Sequence, residues 1–327
     1  MKRRQFITLL GGAAAWPLAA RAQPTGKVAR VGFLGNNLDG PLSGPGYKNF
    51  LSELQKLGFT EGQNLVMEYR RVDEGTPRAF AGANELAAAK AEVLVANGAE
   101  IALQAAAAVR PVVPIVMMAS GYDPIARGYV SSLARPGGNV TGLFYRTPDL
   151  SVKQLELLAE AFPDRTRVGV LWDSLSADQF AAAEGAAGSM RLSLRPFKLE
   201  NPPYNFDGAF TTLVRDEVKM LLVLSSPFFI LNRVHIAELA VRHGLPSMFI
   251  FKDYVEAGGL MSYGVDTLPQ YRRAASYVAK ILRGAQPAEL PVEELDNFEF
   301  ALNLKTAKAL GVVLPTSILL RADEVIE

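Results

Sequence analysis

Two runs of the same pattern stand far apart in the chain: Arg30-Val31-Gly32-Phe33-Leu34-Gly35-Asn36 and Arg167-Val168-Gly169-Val170-Leu171-Trp172-Asp173. Each opens on Arg-Val-Gly, continues through apolar residues and ends in a short polar side chain. Nearly unbroken apolar runs mark strands buried on both faces of a parallel sheet. Each run is followed by a helical pattern and then by another strand, so a chain that opens twice in this way is expected to build two α/β units. Its 327 residues are enough for two separate cores.

In the first unit the pattern predicts strands over 28–34, 65–71, 92–96, 115–118 and 140–145, with helices over 46–57, 77–90 and 100–109 between them. The second unit repeats this with strands over 167–173, 192–199, 220–224, 247–251 and 260–263, and helices over 176–187, 206–214 and 229–243. Residues 268–283 form an amphipathic helix with Tyr271, Ala274, Ala275, Val278, Ile281 and Leu282 in register. Pro287, Pro291 and Glu293-Glu294 read as a connector, 298–302 as one more strand, and 305–310 as a helix stopped by Gly311 and Pro315.

The N-terminus has the order of an export signal: Lys2-Arg3-Arg4, an uncharged stretch over 6–20, then Ala20-Arg21-Ala22 before Gln23. The uncharged stretch is interrupted by Gly11-Gly12 and Pro17 and is shorter than the roughly 20 residues a membrane helix needs. Cleavage after about Ala22 and a periplasmic location are therefore expected. Arg3-Arg4-Gln5-Phe6-Ile7 also resembles the twin-arginine pattern. Residues 1–22 carry Lys2, Arg3, Arg4 and Arg21 and no acid, so the remainder holds 30 bases against 33 acids. No basic excess is left to suggest nucleic acid as a partner.

Cysteine is absent, which excludes a disulfide framework, a thiol nucleophile, a Cys-ligated metal and a cysteine-linked lipid anchor. His235 and His243 lie eight apart and do not share the helical face a metal pair needs. The chain lacks a G-x-S-x-G elbow, a G-x-x-x-x-G-K phosphate loop and a G-x-G-x-x-G fingerprint. No enzyme chemistry, metal or cofactor is implied.

What the chain does offer is polar and aromatic residues at the carboxyl ends of the expected strands, where open α/β sheets bind ligands. These are Asn36, Asn97, Ser120 and Asp123 in the first unit and Asp173, Ser226 and Asp253 in the second, with Tyr145 and Tyr263 near the crossings between units. Hydroxyls and amides ahead of helix N-termini suit an anionic group, carboxylates suit an ammonium, and aromatics cover an apolar part. The same residue types also serve as helix caps, turns and core aromatics. Reversible binding of a small organic solute is the leading expectation. An exported hydrolase on a two-lobe scaffold and a soluble ligand-sensing subunit are the alternatives.

Over essentially its whole length the chain resembles the bacterial ABC-transporter substrate-binding proteins of the tryptophan/tyrosine-binding-like family. The resemblance is carried by the leader from Arg3 to Gly12, by Glu61-Gly62-Gln63-Asn64-Leu65, and by Arg135-Pro136-Gly137-Gly138-Asn139-Val140-Thr141-Gly142. Gly258-Gly259-Leu260-Met261-Ser262-Tyr263-Gly264, Asn303-Leu304-Lys305-Thr306-Ala307-Lys308-Ala309-Leu310-Gly311 and the terminal run from Leu320 to Glu327 follow in order. The resemblance implies a type I periplasmic binding fold: two Rossmann-like lobes with parallel sheets, a three-crossover hinge near 140–145, 261–266 and 296–300, and a solute held between the lobes. Lobe 1 would comprise 27–143 plus 266–295, and lobe 2 would comprise 144–265 plus 296–327. The implied partner is an ABC permease in the inner membrane, which reads the closed form, and the resemblance implies a small organic solute of the amino-acid class. Two departures touch the cleft. Gly121-Tyr122-Asp123-Pro124 inserts an aromatic where the family commonly has Gly-Asp-Pro, and Asp173-Ser174-Leu175-Ser176 replaces an Asn-rich loop.

Overall fold

The computed structural model describes residues 28–35, 44–72 and 76–327. The expected export signal and Asn36 lie outside the described residues. The first unit supplies β1 (Ala29–Gly35), β2 (Leu65–Arg71), β3 (Val93–Gly98), β4 (Ile115–Ser120) and β5 (Val140–Tyr145). The second supplies β6 (Arg167–Asp173), β7 (Ser193–Leu199), β8 (Met220–Val223), β9 (Ser247–Phe249) and β10 (Met261–Val265), followed by β11 (Val292–Glu294), β12 (Phe298–Asn303) and β13 (Glu324–Ile326).

These strands make two sheets, ordered β11-β5-β4-β3-β1-β2 and β13-β12-β10-β9-β8-β6-β7. Within them the order β2-β1-β3-β4-β5 is copied as β7-β6-β8-β9-β10, so the two Arg-Val-Gly runs occupy equivalent interior strands. Every pairing in the first sheet is parallel, and in the second only β10 with β12 is antiparallel. The shared glycine has the same reason in both places. A Cβ on Gly32 would lie 2.8 Å from Leu94 and 3.1 Å from Leu86, and one on Gly169 would lie 2.9 Å from Val218 and 3.0 Å from Leu213. A helix residue, Leu86 or Leu213, sits over the bare backbone in each case.

Each sheet is covered on both faces, which divides the core into two layers per lobe. The chain changes sheet three times. After β5 the helix Thr147–Ala161 packs Leu155, Leu157, Leu158 and Ala161 into the second lobe. After β10 the helix Leu268–Leu282 returns to the first lobe and packs Ala274, Ala275, Val278 and Ile281 with Val31, Val93 and Val116. The third crossing follows β11. A small apolar cluster of Tyr145, Leu150, Ile250 and Val265, flanked by Tyr263 and Leu295, lies where the crossings meet.

The structure adds the short elements Lys252–Glu256, Thr316–Leu319 and Glu324–Ile326 to the expected ones and differs from the expectation in three longer stretches. Residues 146–166, between the expected strands, hold the helix Thr147–Ala161, whose start is Thr-Pro-Asp. The expected connector contains β11, which tolerates two acids in three residues because Glu293 points to Arg273 and Tyr277 at the sheet edge. The expected single helix over 229–243 is two, Pro227–Leu231 and Arg233–Arg242, separated at Asn232, where the backbone leaves the helical region.

Candidate functional site

The carboxyl ends of β3, β4 and β5 face those of β6 and β8 across a cleft. Gly98, Ala99, Ser120, Gly121, Tyr145 and Thr147 line it from the first three strand ends, and Leu175, Gln179, Ser225, Ser226, Pro227, Ile230 and Phe251 from the opposite side. A second space of about 350 Å³ adjoins it through Ala99, Ser120, Gly121 and Leu175 and continues past Glu100, Tyr122, Arg127 and Asp178. Arg127 reaches Asp178 across its mouth at 3.1 Å and Glu100 at 3.5 Å.

On the first wall, the strand ends deliver the chain to helix N-termini. The helix Glu100–Ala108 starts at Ala99 and the helix Thr147–Ala161 at Arg146, and neither has a side chain hydrogen-bonded over its first turn. Orphan N–H groups at such ends attract negative charge. Gly121 turns the chain with φ +88°, its N–H donating to the Tyr145 carbonyl at 3.2 Å, and a Cβ there would lie 3.0 Å from Thr147 Oγ1. The Thr147 hydroxyl is buried and has no hydrogen-bond partner. Ser120 is hydrogen-bonded to the Tyr145 phenol, which burial pushes up to about 12.

The second wall is tied together around Asp173 and Gln179. The buried Asp173 takes the Leu175 N–H at 3.0 Å and the Ser176 hydroxyl at 3.2 Å on Oδ1, and the Tyr204 phenol at 3.1 Å and the Ser226 hydroxyl on Oδ2. Burial, with the Asp173 charge beside it, pushes the Tyr204 phenol well above the usual range, so it stays a protonated donor. Gln179 clamps Ser225 from both sides, accepting its N–H at 2.8 Å and donating to its carbonyl at 3.1 Å. Leu175, Ile230 and Phe251 add apolar surface.

The structure therefore brings Ser120, Tyr145 and Ser226 into one cleft, with Asp173 directly behind Ser226. Asn97 stands one residue before the lining and donates to the Tyr271 phenol at 3.2 Å. Asp123 accepts the N–H groups of Ile125 and Ala126, an Asx turn after β4. Asp253 is exposed on the short helix Lys252–Glu256. Tyr263 packs against Phe298 and Phe300, while its carbonyl accepts from Gln154 at 2.7 Å. The inserted Tyr122 lies buried in the first lobe's core, edge-on to Tyr129, and lines the adjoining space. Thr147, Gln179 and Phe251 escaped the sequence reading; Arg-Thr-Pro-Asp after an apolar strand was the helix-start signal that could have found Thr147. Among the described residues no group of three or more His, Cys, Asp or Glu could hold a metal ion, and no helix is long and apolar enough to cross a membrane.

Two copied α/β lobes with a cleft lined from the strand ends of both define a two-lobed binding architecture. The chain belongs to the family of ABC transporter substrate binding proteins, which matches it over residues 38–326. It is 25% identical over 277 residues to the tyrosine-binding protein of Clostridioides difficile (strain R20291), covering 81% of this chain and 76% of that one. The ABC domain from Streptococcus pneumoniae in complex with L-Trp superposes with a TM-score of 0.79 at 23% identity, covering 91% of this chain and 99% of that chain. The ligand-free, open structure of a substrate-binding protein with adhesive properties from Clostridium difficile gives 0.63 at 22% identity, covering 92% and 99%.

Proposed function

We propose that this chain binds a small organic solute, with an amino acid as its class, in the cleft between the lobes and delivers it to an ABC importer from the periplasm. The observation that carries the reading is the Thr147 hydroxyl, buried in the cleft wall without a partner beside two uncapped helix N-termini. A buried polar group left unmade is costly, and a ligand carboxylate would satisfy it. The tyrosine-binding relative and the L-Trp complex support the amino-acid class. In this reading the binding step is hinge closure of the two lobes on the solute. In that step, contacts to both lobes stabilise the closed population, which a permease then reads. The signal-like N-terminus supports export.

Thermal melting of the purified protein against amino acids, aromatic acids and sugars tests this. A solute at a hundred times its dissociation constant adds about 2.7 kcal/mol to the native state and raises the melting midpoint by several degrees. A selective shift with the solute recovered intact is expected. Consumption of the solute would point to a hydrolase instead, and the absence of any shift among amino acids would contradict the solute class. Cell fractionation that finds the mature protein in the cytoplasm would contradict the location.

A further inference from the structure

The Ser226 hydroxyl has one proton, and its hydrogen-bond partners assign it to Asp173. Asp173, as a carboxylate, offers only acceptor sites, and its Oδ2 takes the Ser226 proton while also accepting from Tyr204. Ser226 Oγ in turn accepts the Phe228 N–H at 3.3 Å. Ser226 lines the cleft, and with its proton committed its hydroxyl is left to act there only as an acceptor. Ser226 is 2% exposed and Asp173 fully buried, so neither is free to exchange these partners for water. The negative charge of Asp173 stands directly behind that acceptor, in a setting where water screens it little. The facing wall has the opposite character: the Thr147 hydroxyl is an unmade donor and acceptor, and two helix N-termini supply N–H groups.

From this asymmetry we propose that Asp173 is a positioning residue, which fixes Ser226 as a hydrogen-bond acceptor and so makes the second wall select solutes that carry a protonated amine. The proposal rests on the solute-binding reading above and adds a direction to it: the ammonium end meets Ser226 and the carboxylate end meets Thr147. Asp173 itself does not touch the solute. Its effect passes through one hydroxyl.

Isothermal titration of wild type, D173N and S226A with L-tryptophan, indole-3-propionate, L-tyrosine and 3-(4-hydroxyphenyl)propionate tests it, since each pair differs only in the amine. Wild type is expected to bind the amine-bearing member of a pair at least about thirtyfold more tightly. D173N removes the charge behind Ser226 and puts an NH2 donor in place of one acceptor oxygen, and should shrink that ratio by about tenfold or more, the size of one charge-assisted hydrogen bond, with little change for the propionates. S226A should shrink it similarly. Damage that is merely structural would weaken both members alike and leave the ratio unmoved. An unchanged ratio in a folded D173N, or in S226A should D173N not fold, would overturn the proposal. Wild type that prefers the propionates would overturn it too. Wild type that binds none of the four would instead overturn the amino-acid reading, and the proposal with it.

Discussion

The two walls of the cleft are built from equivalent parts and finished differently. On the second, the strand-end carboxylate Asp173 gathers an N–H and three hydroxyls from Ser176, Tyr204 and Ser226, and Gln179 holds Ser225. On the first, Thr147 keeps a buried hydroxyl with no partner and two helices start without a cap. The Asp173 side of the cleft is a closed network, whereas the Thr147 side keeps an open hydroxyl. The lesson is that a copied fold does not copy its site. The repeat fixes where strand ends lie, and single residues decide whether each end is a finished network or an open one.

Substitutions can break or sharpen this contrast. The largest effect is expected from Asp173→Ala, which removes the acceptor of four donors at once, the Ser226 and Ser176 hydroxyls among them buried; urea unfolding should show a loss on the order of 3 kcal/mol. A loss below about 1 kcal/mol would mean the second wall is not a closed network. Gly121→Ala comes next. It forces a side chain into φ +88° and against Thr147 Oγ1, so a loss of about 1–2 kcal/mol is expected in the same assay, with weaker solute binding.

Thr147→Val should part the two walls most cleanly, because it removes an unpaired hydroxyl at constant shape. Stability of the ligand-free protein should hold or rise by up to about 1 kcal/mol while solute affinity falls about tenfold. Lower stability with unchanged affinity would show that the hydroxyl belongs to the fold rather than to the ligand. Arg127→Ala should do least. Its pairs with Asp178 and Glu100 are exposed, with side-chain exposures of 47%, 65% and 26%, and are worth less than about 1 kcal/mol. Small-angle scattering should show a slight opening of the lobes that is strongest at low salt, since such pairs are screened.

Much of the fold was legible because its strongest signals are local. The Arg-Val-Gly runs announced two equivalent interior strands, and the amphipathic pattern over 268–283 announced a helix with a buried face. The strand Val292–Glu294 was not legible, because its two acids are held by Arg273 and Tyr277, which its own sequence does not show. The site was legible as an edge, not as a set of contacts. Ser120, Tyr145 and Ser226 stood at strand ends and line the cleft. Asp173 stood at one too, but its partner Tyr204 lies 31 residues away, and only tertiary structure reveals that its oxygens are already in use. Asp123 and Asp253 have the same chemistry on paper, yet one is spent on a local turn and the other faces solvent.

Central to this account is a solute that touches both walls. Hydrogen exchange with and without saturating L-tryptophan or L-tyrosine measures that directly. Slower exchange is expected at Gly98 to Glu100 and at Gly121 in the first lobe, together with Ser225 to Phe228 in the second. Protection confined to one lobe, or found away from both strand-end edges, would contradict it.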